Sequence, residues 1–310
     1  MTSAALPAAA RKPHGGFEWR PEFALWFVVI SWASTWIALK DAFDYVAPLA
    51  YLLIRFLLMN VLALAVLAIQ VRRGAATWRI RRIDVPRLIL SGLTGYTIYQ
   101  IAAMLGLDRS SVFTLSLLVA MAPLFTMMLL AGLGERTSTY GWLGLLIAVV
   151  GVAVFLSDKR AGGDTLLGAG LSLCAAVSFA AYGLINRPIT TSYPQATYSA
   201  YCLLFGTIPM IFVCGPSALR QNWSAPPIHV WVGLAYLVIV PVYISYQLWN
   251  YAISRRGAGP ATAYGLFVPV LSGVLSALIF QERFGPLKIA GGALALLGLL
   301  LPKLRGGVRS

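Results

Sequence analysis

Ten long apolar stretches fill this chain, and the second five repeat the first five. Each runs for about 18–23 residues, the length a helix needs to cross a hydrocarbon core of roughly 30 Å. Five is an odd number, so a second copy of a five-helix unit enters a bilayer upside down relative to the first. Inverted repeats of this kind build transporters whose substrate site lies near the midplane between the copies. The spacing predicts helices at about 23–40, 48–70, 87–107, 111–133, 140–157, 166–186, 194–214, 229–251, 259–280 and 286–302. The expected fold is an all-α membrane protein of ten transmembrane helices in two inverted repeats, 23–157 and 166–303. A disordered cytoplasmic tail at 1–22 and a short one at 304–310 flank them.

The repeat is legible residue by residue. Tyr99-Gln100 recurs as Tyr246-Gln247, Arg109 as Arg256, and Glu135-Arg136 as Glu282-Arg283. Gly144 recurs as Gly291 and Gly151 as Gly298, all at a separation of 147, and Pro48 recurs as Pro194 at 146. Gln, Glu and Arg take part, which apolar composition alone does not supply.

Composition excludes a soluble domain. Of the 310 residues 59% are hydrophobic and 11% charged, where a soluble domain carries about 25% charged residues. The net charge of +14 does not point to nucleic acid, because Lys and Arg fall between the apolar runs. With the N-terminus in the cytoplasm, sixteen basic residues lie inside and seven outside, so both termini are expected inside. The loop Val71–Pro86 is the strongest anchor, and it also suits anionic lipid headgroups. Residues 1–22 hold no apolar core, so the first helix is read as an uncleaved anchor. Cys174, Cys202 and Cys214 lie in apolar runs and read as small packing residues.

The ten carboxylates all fall in tails, loops or helix ends, so no acidic proton relay is expected within the membrane. Asp108 and His229 are the remaining candidates for one. No metal cluster, nucleophile with its base, or phosphate-cradling loop is visible, which argues against an enzyme and against any cofactor. Glycines such as Gly141, Gly144, Gly168, Gly170, Gly291 and Gly292 read as helix-packing positions.

Polar and aromatic residues concentrate on four helices. The first carries Trp32, Thr35 and Trp36 at helical spacing; the sixth carries Ser178, Tyr182 and Asn186. The third presents Tyr96, Tyr99 and Gln100 on one face, and the eighth Tyr243, Tyr246, Gln247 and Asn250, with Trp249 beside them. A neutral amide in hydrocarbon must find a partner or face water, and a cavity bounded by these helices satisfies that. Arg55 is the one charge well inside a helix; it binds a substrate carboxylate, or else snorkels outward or bonds backbone carbonyls. Pro123 and Pro269, inside the fourth and ninth helices, are expected to kink them as hinges. Trp26 and Trp231 suit the interfacial belt.

These residues resemble the drug/metabolite transporter superfamily, in particular its EamA-type ten-helix members. The resemblance rests on Trp32-Ala33-Ser34, on Pro48 followed by Arg55-Phe56, on Pro123 and Pro269, and on Gly134-Glu135-Arg136 echoed by Gln281-Glu282-Arg283. It covers about residues 23–303. Within the group, Tyr99-Gln100 and Tyr246…Trp249-Asn250 look like bacterial aromatic amino-acid exporters. The resemblance implies an inner-membrane metabolite exporter working by alternating access around a central cavity. The expected function is export of aromatic and other neutral amino acids as a facilitator. A proton-coupled exporter of lipophilic drugs is the alternative, and a membrane-embedded protein that transports nothing is a weaker one. The expected partners are a small-molecule substrate and the bilayer, with no nucleic acid, and the expected state is a monomer.

Overall fold

The computed structural model describes residues 19–135, 137–158, 164–256, 261 and 263–305. The expected N-terminal tail up to residue 18, most of the C-terminal one, and Arg136, Lys159 and Arg160 of the charge count lie outside the described residues. What is described is helix and turn, with no strand among the described residues. Ten helical segments of more than ten residues follow one another among the described residues: α1 Trp19–Ala42, α2 Pro48–Arg72, α3 Arg82–Asp108, α4 Val112–Gly132, α5 Thr139–Ser157, α6 Leu166–Ser192, α7 Gln195–Arg220, α8 Ile228–Arg256, α9 Phe267–Ile279 and α10 Pro286–Arg305. The first eight are long and apolar enough to cross a membrane; α9 and the Pro286–Pro302 stretch of α10 are shorter.

Local chemistry sets several starts. Ser111, Ser138 and Thr165 cap α4, α5 and α6 by accepting the N–H of Thr114, Gly141 and Gly168 at 3.2, 3.1 and 2.9 Å. Pro48 opens α2, where its missing N–H costs nothing. Pro123 and Pro269 correct the expectation of interior kinks. Each sits in the first turn after a break, at Ala120–Met121 in α4 and at Gly265–Leu266 ahead of α9. A proline ring clashes with the carbonyl one turn back, so the helix ends and restarts. This is why α9 is shorter than the expected 259–280.

The helices pair as a two-fold relation between the halves requires. Each of α2 and α5 packs on its own repeat partner, α7 and α10, while α3–α6 contacts mirror α8–α1 and α4–α6 contacts mirror α9–α1. The α5–α10 crossing shows the reciprocity at atomic scale. A Cβ placed on Gly144 would lie 2.5 Å from the Gly298 carbonyl oxygen, and one on Gly151 would lie 2.8 Å from that of Gly291. Gly291 and Gly298 are the repeat mates of Gly144 and Gly151, so the two backbones touch where side chains are missing. Gly170 departs from the packing expectation: nothing lies within 4 Å of its Cβ position. Cys174 likewise is exposed, whereas Cys202 and Cys214 are buried.

The main core joins α2, α3, α7 and α8 through Tyr51, Phe56, Met104, Leu107, Met210 and Leu237. Large apolar side chains such as Val61, Leu146, Phe212 and Leu278 stay exposed along the outside. Such a surface suits a lipid solvent, not water.

Candidate functional site

Neither α3 nor α8 is uniform. Leu93–Ile98 in α3 and Val240–Ile244 in α8 are π-helical, and their first residues are 147 apart. A π turn disturbs the i→i−4 ladder, re-aims the residues after it, and is frequent at functional sites. The freed carbonyls are taken by the neighbouring repeat-related helices. The Thr94 carbonyl accepts Ser178 Oγ of α6 at 2.7 Å, and the Pro241 carbonyl accepts Trp32 Nε1 of α1 at 3.3 Å. Thr94 and Pro241 are themselves repeat mates, so the same backbone device occurs twice.

Aromatic rings gather just beyond these segments, again in two related groups. Trp32 lies 6.1 Å from Tyr246 and 5.3 Å from Trp249 between ring centroids. Its repeat mate Phe179 lies 5.1 Å from Tyr99, the mate of Tyr246. Tyr182 adds contacts to Phe179 at 5.9 Å and to Tyr96 at 5.8 Å. Gly95 makes room for it, since a Cβ there would meet the Tyr182 ring at 2.3 Å. The two groups are thus built alike on repeat-related helices. Tyr246 keeps 44% of its surface open.

Three buried polar atoms on α2 and α3 have no partner: Arg55 Nε, Gln100 Oε1 and Asn60 Oδ1. Arg55 is 5% exposed, so it neither snorkels to water nor bonds a backbone carbonyl. Among the described residues it has no hydrogen bond and no ion pair, and the titratable groups it interacts with are the phenols of Tyr51 and Tyr99. Burying a charge in this way is costly unless something pairs with it. Asn60 Nδ2 donates to Thr207 Oγ1 at 2.7 Å. The bond joins α2 to its repeat partner α7. Sequence reasoning missed both residues.

The other expected site residues divide. Trp36 is partly buried against the main core. Thr35 and Asn186 are buried and already bonded: Thr35 Oγ1 donates to the Ser31 carbonyl at 2.9 Å, and Asn186 Nδ2 donates to the Tyr182 hydroxyl at 3.1 Å. Both shape the lining from behind. On α8 the expected common face does not hold, because the π segment shifts the register. The Tyr243 hydroxyl reaches the Met59 carbonyl of α2 at 3.5 Å, while Tyr246 turns to α1. Gln247 is exposed without a hydrogen-bond partner among the described residues, and Asn250 is exposed and donates to Gln195 Oε1 at 3.3 Å. Pro123 edges a hollow of about 230 Å³ shared with Met127, Thr137, Gly141, Leu299 and Pro302.

Ion pairs close both ends of the bundle. At one end Lys288, which the sequence reading places on the outer side at the start of the tenth helix, is 1% exposed. Its Nζ donates to Ser111 Oγ at 3.1 Å and to Asp164 Oδ2, and lies 5.2 Å from the Phe155 ring centroid. Asp164 also accepts the Ser111 N–H at 2.6 Å and Thr114 Oγ1 at 2.7 Å. Burial pushes the Asp164 carboxyl up, but bonds from Lys288, Ser111 and Thr114 outweigh it and hold it below the usual carboxylate range. At the other end Glu22 of α1 pairs with Arg256 at 2.5 Å and accepts the Tyr264 hydroxyl. Asp108 pairs with Arg109 and His229 with Asp41, both at helix ends, not beside the aromatic space.

Two repeat-related sets of long apolar helices, each with its own aromatic group, are the parts from which inverted-repeat membrane transporters are built. The sequence pattern of the EamA-like transporter family matches residues 20–157 and again 166–302. The chain belongs to that family. A protein of Streptantibioticus cattleyicolor named "Probable terminal-alkyne amino-acid exporter" is 30% identical over 90% of this chain and 92% of its own. One of Escherichia coli named "Probable amino-acid metabolite efflux pump" is 27% identical over 88% and 91%. A solved crystal structure superposes with a TM-score of 0.62 at 21% identity, covering 93% of this chain and 99% of that one. At that identity it speaks to the fold alone.

Proposed function

We propose that the protein is a facilitator of the bacterial inner membrane that exports small amphipathic metabolites, foremost aromatic and other neutral amino acids. In this reading all ten segments cross the membrane, both termini are cytoplasmic, and a monomer encloses the site. The observation that carries it is the buried, unpaired guanidinium of Arg55 next to the ring cluster. A guanidinium forks onto a carboxylate with two parallel hydrogen bonds. Gln100 Oε1, a buried acceptor without a donor, suits an ammonium group. The rings of Trp32, Tyr96, Tyr99, Tyr182, Tyr246 and Trp249 then hold an apolar or aromatic side chain. A cationic drug meets the wrong charge at Arg55. The names of the two relatives point the same way. Trp36, Thr35 and Asn186 support the lining, Gln247 and Asn250 edge it, and the breaks at Pro123 and Pro269 let helix halves swing. No carboxylate lies beside the rings among the described residues, so no proton coupling is expected.

The test is counterflow of radiolabelled tryptophan, phenylalanine and threonine in proteoliposomes, with a cationic dye as comparator and with or without a pH gradient. Saturable exchange of the amino acids, indifferent to the gradient, is the expected result. Exchange of the dye alone sinks the amino-acid assignment, and dependence on the gradient sinks the facilitator.

A further inference from the structure

The connection from α2 to α3 is the most basic stretch of the chain. Between residues 72 and 87 stand Arg72, Arg73, Arg79, Arg81, Arg82 and Arg87, against the single acid Asp84. That acid is already used. Asp84 Oδ2 accepts Arg81 Nε at 2.8 Å and the Tyr193 hydroxyl at 2.6 Å. Arg72, Arg73, Arg79, Arg82 and Arg87 are all exposed and form no ion pair among the described residues. Like charges this close repel one another.

The arm cannot relieve that repulsion by swinging free, because its backbone is pinned. The Thr77 carbonyl accepts Thr197 Oγ1 at 2.9 Å, the Trp78 carbonyl accepts the Tyr201 hydroxyl at 2.8 Å, and the Arg81 N–H donates to the Tyr193 hydroxyl at 3.0 Å. Ile80 packs inward against Leu88, Ile189 and Cys202. Two apolar side chains do the opposite: Trp78 is 44% exposed and Ile83 81%. The arm joins the end of one membrane-length helix to the start of the next, which places it at headgroup depth.

We propose that the Arg72–Arg87 arm is a binding surface for the anionic headgroups of membrane lipids, with Trp78 and Ile83 seated at the acyl boundary. Guanidinium forks match phosphate oxygens, and basic clusters next to a membrane helix are drawn to anionic leaflets. Free phosphate satisfies the charge but leaves the two apolar side chains in water, so a lipid is the better fit. The bound lipid holds more than the arm. Thr197 and Tyr201 belong to the start of α7 and Tyr193 follows α6, the helix that carries Tyr182 and Asn186.

The test uses the full chain in nanodiscs of phosphatidylcholine, alone or with phosphatidylglycerol, and reads the unfolding midpoint and the lipid retained in native mass spectrometry. The native protein is expected to gain several degrees and to retain phosphatidylglycerol, and added salt should shrink the gain. A combined Arg72→Gln, Arg73→Gln, Arg79→Gln and Arg82→Gln variant keeps Arg81 on Asp84. It should match the native midpoint in phosphatidylcholine and lose the gain. A variant that keeps the full gain overturns the proposal, as does a native protein with none. A second arm adds inorganic phosphate to phosphatidylcholine discs; an equal gain there refutes a lipid surface. None of these readouts involves transport, so they stand apart from the exporter reading.

Discussion

Replacing Arg55 by methionine separates a binding residue from a structural one, because the two roles move stability in opposite directions. Arg55 is 5% exposed, and its Nε has no partner. Leaving a buried polar group unsatisfied costs about 1–3 kcal/mol, more when it is charged. Methionine keeps an unbranched stem of similar reach and carries no charge, so the empty protein is expected to gain stability of that order. Binding moves the other way. A hydrogen bond to a charged group is worth about 1.5–3 kcal/mol, which is a loss of roughly 10- to 150-fold in amino-acid affinity. Arg55→Lys keeps the charge but not the fork; it should weaken binding without raising the unfolding midpoint. The assay is thermal unfolding in detergent beside isothermal titration with tryptophan. A methionine variant that unfolds earlier and binds as tightly as the native protein refutes the reasoning and makes Arg55 a packing residue.

The same logic with the sign reversed applies to Lys288. Lys288→Met leaves the Asp164 carboxylate without its counter-ion and should cost about 3–5 kcal/mol, read as a lower unfolding midpoint. Asp164 is depressed in the fold, so the stability it contributes is complete above about pH 4 and fades as pH falls through that value and below; a pH series of unfolding midpoints checks it, and the Lys288 variant should lack that fade. Gly151→Ala pushes a Cβ to 2.4 Å from the Ala295 nitrogen and should cost about 1–3 kcal/mol, whereas Gly170→Ala meets open space and should be neutral or stabilising by up to about 1 kcal/mol. Pro123→Ala restores a donor across the break in α4 and should slow exchange in proteoliposomes more than it lowers the amount of folded protein; normal exchange per incorporated protein would remove the hinge.

How much of this was legible depended on the kind of signal. Helix positions were readable because a membrane imposes length and apolarity on each span; the extents moved where polar ends extend helices past the hydrocarbon, as in α6 to Ser192 and α8 to Arg256, and where a break before a proline shortens one, as in α9. The family was readable because polar residues recur at one offset. The faces were less so. A helical wheel assumes a constant period, and the π segments at Leu93–Ile98 and Val240–Ile244 break it without any residue that announces the break. The burial of Lys288 was not legible because nothing in sequence pairs it with Asp164, 124 positions earlier.

The offset that reveals the repeat also locates where the two halves stop being alike. Ring for ring, Trp32 with Tyr246 answers Phe179 with Tyr99, and the carbonyls of Pro241 and Thr94 answer each other. A site built from this symmetry alone would have two equivalent ends and would hold a substrate in either direction. Arg55 breaks the equivalence, since Tyr201 and Cys202 occupy the positions 146 and 147 residues later. On the proposed reading, a guanidinium in one half, with no charge at the matching positions of the other, gives the substrate site a single pole for an anionic group. A zwitterion with one carboxylate and an apolar side chain needs that polarity. In the proposed exporter the repeat supplies the scaffold and the aromatic walls, and the departure from it supplies the orientation.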